Sequence, residues 1–177
     1  IRAQVQTVNF SSATHDAMVG NGGVEDVNLG SQDQMRVFHD YNQQIPIVFR
    51  TYIQYDLSSI PSDAIILDAK LKLTAQTVDN SIDHPVYLQP AAAAWNESTI
   101  TWKSQPDLRG EKTALPHADV SAAGVHEFDV LTDVQHFVAS PGNNFGWQLR
   151  LQDEKTAALN GIVYYSSEAT SAANRPV

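Results

Sequence analysis

The sequence predicts an all-β fold: a jelly-roll β-sandwich of two antiparallel sheets with one short helix near residues 132–139. Three observations carry that expectation. At 49–56 Phe49, Thr51, Ile53 and Tyr55 alternate with Arg50, Tyr52, Gln54 and Asp56, the two-residue period of a half-buried strand. At 65–75 the pattern returns, with Ala69, Leu71, Leu73 and Ala75 set against Lys70, Lys72 and Thr74. Turn formers separate such runs, among them Ser58, Ser59, Pro61, Ser62 and Asp63, then Gly20-Asn21-Gly22-Gly23 and Ser140-Pro141-Gly142-Asn143-Asn144.

The remaining strands follow in order. Residues 1–8 alternate weakly, and 35–38 form a short apolar–polar run. Further strands are expected at 86–88, 99–102, 125–130, 145–151 and 162–165, since many short strands between turns make a sandwich or barrel. In 145–151, Phe145, Trp147, Leu149 and Leu151 share one face, opposite Gln148 and Arg150. The helix at 132–139 has Val134, Phe137 and Val138 on one stripe. Thr132 with Gln135 reads as its capping box, and Pro141-Gly142 as its stop.

Composition narrows the function. A chain of 177 residues with 42% hydrophobic and 18% charged side chains fits a single domain, 1–177, without linkers or repeats. It has no cysteine, so disulfides, thiolate metal sites and thiol nucleophiles are excluded. The net charge of −9 argues against nucleic acid, which demands clustered Lys and Arg, and against acidic membrane surfaces. Apolar runs are too short for membrane insertion. A secreted, extracellular protein fits this balance. Catalysis has no motif behind it: there is no G-x-S-x-G elbow, no H-E-x-x-H helix, and no histidine pair at i, i+4 among the six histidines.

Several phrases share an order. His15-Asp16-Ala17-Met18-Val19 is followed by Tyr52-Ile53-Gln54-Tyr55-Asp56-Leu57-Ser58-Ser59-Ile60-Pro61, then by the strand at 65–73. Trp95-Asn96-Glu97-Ser98-Thr99-Ile100-Thr101-Trp102, Phe128-Asp129-Val130, Asn144-Phe145-Gly146-Trp147, Ser166-Ser167-Glu168 and Arg175-Pro176 complete the series. In this order they resemble the DNRLRE family of extracellular β-sandwich domains, which includes carbohydrate-binding modules associated with polysaccharide lyases. The resemblance implies a non-catalytic jelly roll serving as a polysaccharide-binding or adhesive module. The chain departs from that family in two respects. Members that bind acidic polysaccharides are expected to offer a basic groove, yet the first third holds only Arg2, Arg36 and Arg50, with Glu25, Asp26, Asp33 and Asp40 adding negative charge. The family's last strand after "R-P" is also missing, so it is expected to be trimmed or supplied by another chain.

Candidate binding residues lie on the polar faces of the strands: Arg50, Tyr52, Lys70, Lys72 and Arg150, with Gln54 and Gln148 beside them. Together they would present an aromatic platform among donors suited to hydroxyls or a carboxylate. Tyr41, Tyr164 and Tyr165 are further stacking candidates. Trp95 and Trp102 are expected to pack in the core rather than stack on sugar, and Trp147 more so. A structural calcium ion would draw on Asp16, Asp26 and Asp33, carboxylates of the kind hard cations prefer, although no D-x-D-x-D-G loop exists. The expected function is a non-enzymatic extracellular module that binds polysaccharide through one sheet face. The alternative is a structural subunit of an extracellular filament or surface layer, self-associating through sheet edges by β-strand complementation.

Overall fold

Residues 5–42, 45–80, 85–155 and 159–177 are described by the computed structural model. Seven of the nine described strands fall on runs that the two-residue period predicts, those at 15–20 and 113–115 do not, and each finds a neighbour for its backbone. They are β1 (His15–Gly20), β2 (Gln34–Asn42), β3 (Ile45–Gln54), β4 (Lys70–Asn80), β5 (Val86–Pro90), β6 (Thr113–Leu115), β7 (Gly124–Asp129), β8 (Trp147–Leu151) and β9 (Asn160–Tyr165). Short helices α1 (His117–Val120) and α2 (Leu131–Ala139) lie on either side of β7.

The strand order is β6-β5-β8-β3-β2-β9-β4-β7, with β1 beside β3. All pairings are antiparallel. Strand β3 joins the two layers. One of its edges is covered by β1; the other is shared, with Phe49 opposite Phe38 of β2 and Thr51 opposite Leu149 of β8. The layers part at Arg50, which stands at that handover. The result is the expected antiparallel sandwich, closed towards a barrel.

The inner faces meet in one core that includes Ile53, Leu73, Leu88, Phe128, Leu149 and Ile162. Each such side chain withdrawn from water contributes about 1.5–3 kcal/mol before chain entropy is counted. Helix α2 closes one end with Val134, Phe137 and Val138, and the Phe137 ring lies 5.1 Å from Trp147. Inside the core, His126 Nε2 sits 2.9 Å from the Ala122 carbonyl and must donate to it. Its Nδ1 therefore accepts from the Tyr164 hydroxyl at 2.8 Å, and burial keeps the imidazole neutral by lowering its pKa.

Several expectations are corrected. Residues 99–102 are turn and irregular backbone, because Asn96 and Ser104 side chains bond the neighbouring backbone and compete with any ladder. The strand expected from 65 begins at Lys70, where its partner β7 ends at Asp129; Ile65 and Leu67 before it are exposed. Residues 5–8 are unpaired coil, and 1–4 lie outside the described residues. The Thr132–Gln135 capping box does not form. Instead, Asp129 Oδ1 accepts from the Leu131 N–H (3.1 Å), and Gln135 Nε2 donates to the Ile66 carbonyl.

Gly146 enters β8 at φ +67°, and a Cβ there would lie 2.1 Å from the Ile53 carbonyl oxygen. Gly146→Ala is expected to destabilise the fold by about 2 kcal/mol or more, from left-handed strain plus the clash. Urea unfolding would show it as a lower midpoint at unchanged slope.

Candidate functional site

The outward face of β3, β8 and β5 is where Arg50, Tyr52 and Arg150 converge, and it is only partly open. Over the β1–β3 end lies the segment 91–109. It is fastened by Ala91 N–H to Gly146 O (3.0 Å), Arg109 N–H to Pro90 O (2.9 Å) and Arg109 Nε to Ala91 O (3.0 Å). Beneath it a second apolar cluster forms from Ala17, Val19, Tyr52, Ala91 and Ile100, with Trp95, Trp102 and Phe145 packed against it. The expected aromatic platform is therefore absent. Tyr52 is fully buried, and its outward-pointing ring serves as the floor under the loop. Burial pushes its hydroxyl pKa up to about 12.

Beside the loop an open cleft of about 390 Å³ remains, lined by Arg50, Gln89, Gln105, Asp107, Gln148 and Arg150 together with Pro106 and Leu108. The Tyr52 hydroxyl holds its base, accepting from Gln148 Nε2 and lying 3.2 Å from the Pro106 carbonyl. Gln105 Oε1 accepts from Arg50 Nη1 (3.2 Å) and from Gln148 Nε2 (3.3 Å). Two atoms have no partner although buried: Gln148 Oε1, an acceptor, and Arg150 Nε, a donor. A buried polar atom left unpaired costs about 1–3 kcal/mol.

A larger hollow of about 610 Å³ lies between the 56–62 turn and the end of α2, and includes His15, Gln54 and Tyr55 in its lining. It holds one buried unpaired atom, Tyr55 Oη, and no Arg, Lys or Gln other than Gln54. The smaller cleft is thus richer in paired donor and acceptor chemistry.

The sequence of residues 7–177 matches the model of carbohydrate-binding module family 96. The chain belongs to that family. A family 96 module is a carbohydrate-binding β-domain, and the resemblance to DNRLRE domains agrees with it at that level. No curated protein matches the chain.

Within this module the structure gathers some of the candidate residues and separates others. Arg50, Tyr52 and Arg150 meet on adjacent strands. Lys70 and Lys72 do not join them: they sit on β4, with β2 and β9 between it and β3. Lys70 pairs with Asp129 (3.0 Å) and Lys72 with Glu127 (3.3 Å) across to β7, and the Asp129 bond raises the Lys70 pKa. Tyr164 is buried in the core and unable to stack, whereas Tyr41 is exposed. Sequence reasoning missed Gln89, Gln105 and Asp107, which come from a strand end and an irregular loop where no periodicity marks them. Trp95 and Trp102 pack on the second cluster as expected, with Trp95 Nε1 donating to the Phe145 carbonyl at 2.8 Å.

The acidic candidates also divide. Asp16 joins Glu97 and Glu168, each offering one carboxylate oxygen within 4.8 Å of the others. Asp26 pairs with Lys103 at 2.6 Å and Asp33 is exposed, so neither belongs to that group. Asp16 is 1% exposed; its N–H donates to Glu97 Oε1 and its Oδ2 accepts from the Ser167 N–H, both at 2.8 Å. Burial first, then the Glu168 charge, pushes its pKa up to about 7. Gly30 keeps this corner closed, since a Cβ there would lie 2.1 Å from the Glu97 carbonyl oxygen. Three oxygen ligands drawn from β1, the 91–109 loop and the segment after β9 suit a hard cation, or a proton shared among them.

Proposed function

We propose that this module is a non-catalytic, extracellular polysaccharide-binding domain whose ligand lies in the cleft of Arg50, Gln89, Gln105, Gln148 and Arg150. The observation that carries this reading is an open cleft lined by two arginines and three glutamines in a carbohydrate-binding family. Secretion accords with the acidic charge, and no described helix is long and apolar enough to cross a membrane.

Arg150→Ala is expected to weaken binding about tenfold or more, the worth of one charge-assisted hydrogen bond. Affinity electrophoresis in gels cast with neutral and acidic polysaccharides tests it. Unchanged retardation of the variant would move the site elsewhere, and no retardation of the wild type in any gel would remove the reading.

We also propose that Asp16, Glu97 and Glu168 hold a structural calcium ion, supported by their convergence on oxygen-only chemistry. Assembly by strand complementation ranks second. The edge strand β6 has three residues, and β7 at the other end carries Glu127 and Asp129, a charged edge of the kind that discourages strand addition.

A further inference from the structure

We infer that Lys112, set in place by Tyr87, is a further binding residue that carries the cleft across the sheet to an acidic unit of the glycan chain. This rests on the cleft being the binding site. The outward residues of β3, β8, β5 and β6 fall in one row. Thr51 stands opposite Leu149, which sets Arg50 beside Arg150; Arg150 stands opposite Tyr87, and Tyr87 opposite Ala114. Neighbouring strands lie about 4.8 Å apart, close to the advance of one pyranose along an extended chain. A glycan laid across the strands therefore passes Arg50, Arg150 and Tyr87 in turn. On this side the lining of the cleft ends with Gln89 and Arg150, and Tyr87 and Lys112 follow it.

Lys112 is exposed just before β6, with its ammonium 4.3 Å from the centre of the half-buried Tyr87 ring. The attraction of the ring face for the cation holds a flexible four-carbon stem over one spot. Gln89 ties the same segment to the cleft: its Nε2 donates to the Gly110 carbonyl at 3.1 Å, and its Oε1 accepts from Arg150 Nη2 at 3.4 Å. The charges of this face are open. Arg50, Lys70, Lys72 and Lys103 each have a carboxylate partner. Among the described residues no ion pair engages Arg150 or Lys112, and Asp107 of the cleft lining pairs with neither. On a chain with 20 acidic and 11 basic side chains, two cations of one face left without an acid suit anionic groups from outside. Sugar units that carry a carboxylate supply them, one to the Arg150 guanidinium and one to the Lys112 ammonium.

The test is affinity electrophoresis of wild type, Lys112→Gln, Tyr87→Phe, Tyr87→Leu and Lys72→Gln, each checked for an intact melting transition, in gels cast with polygalacturonate, alginate or mannan. Wild type should be retarded by at least one polyuronate. Lys112→Gln should weaken that binding about fivefold, the upper worth of an exposed ion pair, and leave any mannan binding unchanged. The gap should close at high salt, because an exposed pair is screened. Tyr87→Phe keeps the ring and should bind as wild type does, whereas Tyr87→Leu should lose part of what Lys112→Gln loses. Lys72→Gln removes the same charge from the other layer and should change little. Lys112→Gln binding polyuronate as tightly as wild type overturns the inference while leaving the cleft standing, as does Lys72→Gln losing as much, or a wild type held by mannan and by no polyuronate. Tyr87→Leu equal to wild type overturns the positioning role of Tyr87. Unchanged retardation of Arg150→Ala, or no retardation of wild type in any gel, removes the cleft and this inference with it.

Discussion

Without metal at pH 8, Asp16→Asn is expected to be more stable than the wild type by as much as about 4 kcal/mol, and to lose that advantage near pH 4. The sign follows from the carboxyl's two environments. Folded, Asp16 holds its proton up to about pH 7; in the unfolded chain it releases it near its ordinary 3.8. Below 3.8 both states are protonated and the group is neutral to stability. Between 3.8 and 7 the unfolded chain alone ionises, so stability falls as pH rises, and above 7 the full penalty stays. Asparagine never ionises and can still accept the Ser167 N–H. Calcium reverses the order: a bound cation favours the ionised carboxylates, so it should stabilise the wild type by about 2.7 kcal/mol at a hundredfold excess over Kd, and the variant hardly at all. Its affinity should weaken as pH drops below 7. Urea unfolding at pH 4, 6 and 8, with calcium or with chelator, measures each arm. A wild type indifferent to calcium at pH 8 would leave the three carboxylates sharing a proton instead.

The strands were legible because period two is written into residues that each see only two environments. Ile53, Leu73 and Leu149 point inward as their alternation requires. Tyr52 shows where that logic stops. Its place on the polar face was read correctly, but the 91–109 segment folds back over that face, so a residue expected to meet ligand became a floor. No local pattern announces such a covering loop, because its apolar residues pair with a surface distant in sequence. The separation of Lys70 and Lys72 from Arg50 has the same origin, since strand order is set by topology and alternation does not encode it. The acidic cluster carried a fainter signal. Asp16, Glu97 and Glu168 are each the sole acidic residue of a family-like phrase, and only the fold shows that the three meet.

Trp95→Ala should lower the melting temperature by roughly 10 °C and abolish glycan binding in the same step. The indole lies 5.6 Å from the Tyr52 ring, and its N–H is spent on the Phe145 carbonyl. Truncating a large aromatic on such a cluster costs about 3 kcal/mol, which at this chain length corresponds to that temperature shift. The loss would fall on the 91–109 loop, which contributes Gln105, Pro106, Asp107 and Leu108 to the cleft wall; once it lifts from β3, the acceptor from Gln105 to Arg50 goes with it. Stability and binding therefore have to fail together. Calorimetric melting and affinity electrophoresis on one preparation distinguish the alternatives. A variant that melts with the wild type yet no longer binds would make Trp95 a sugar-stacking surface, and one that melts early yet binds normally would show that the loop is no wall of the site.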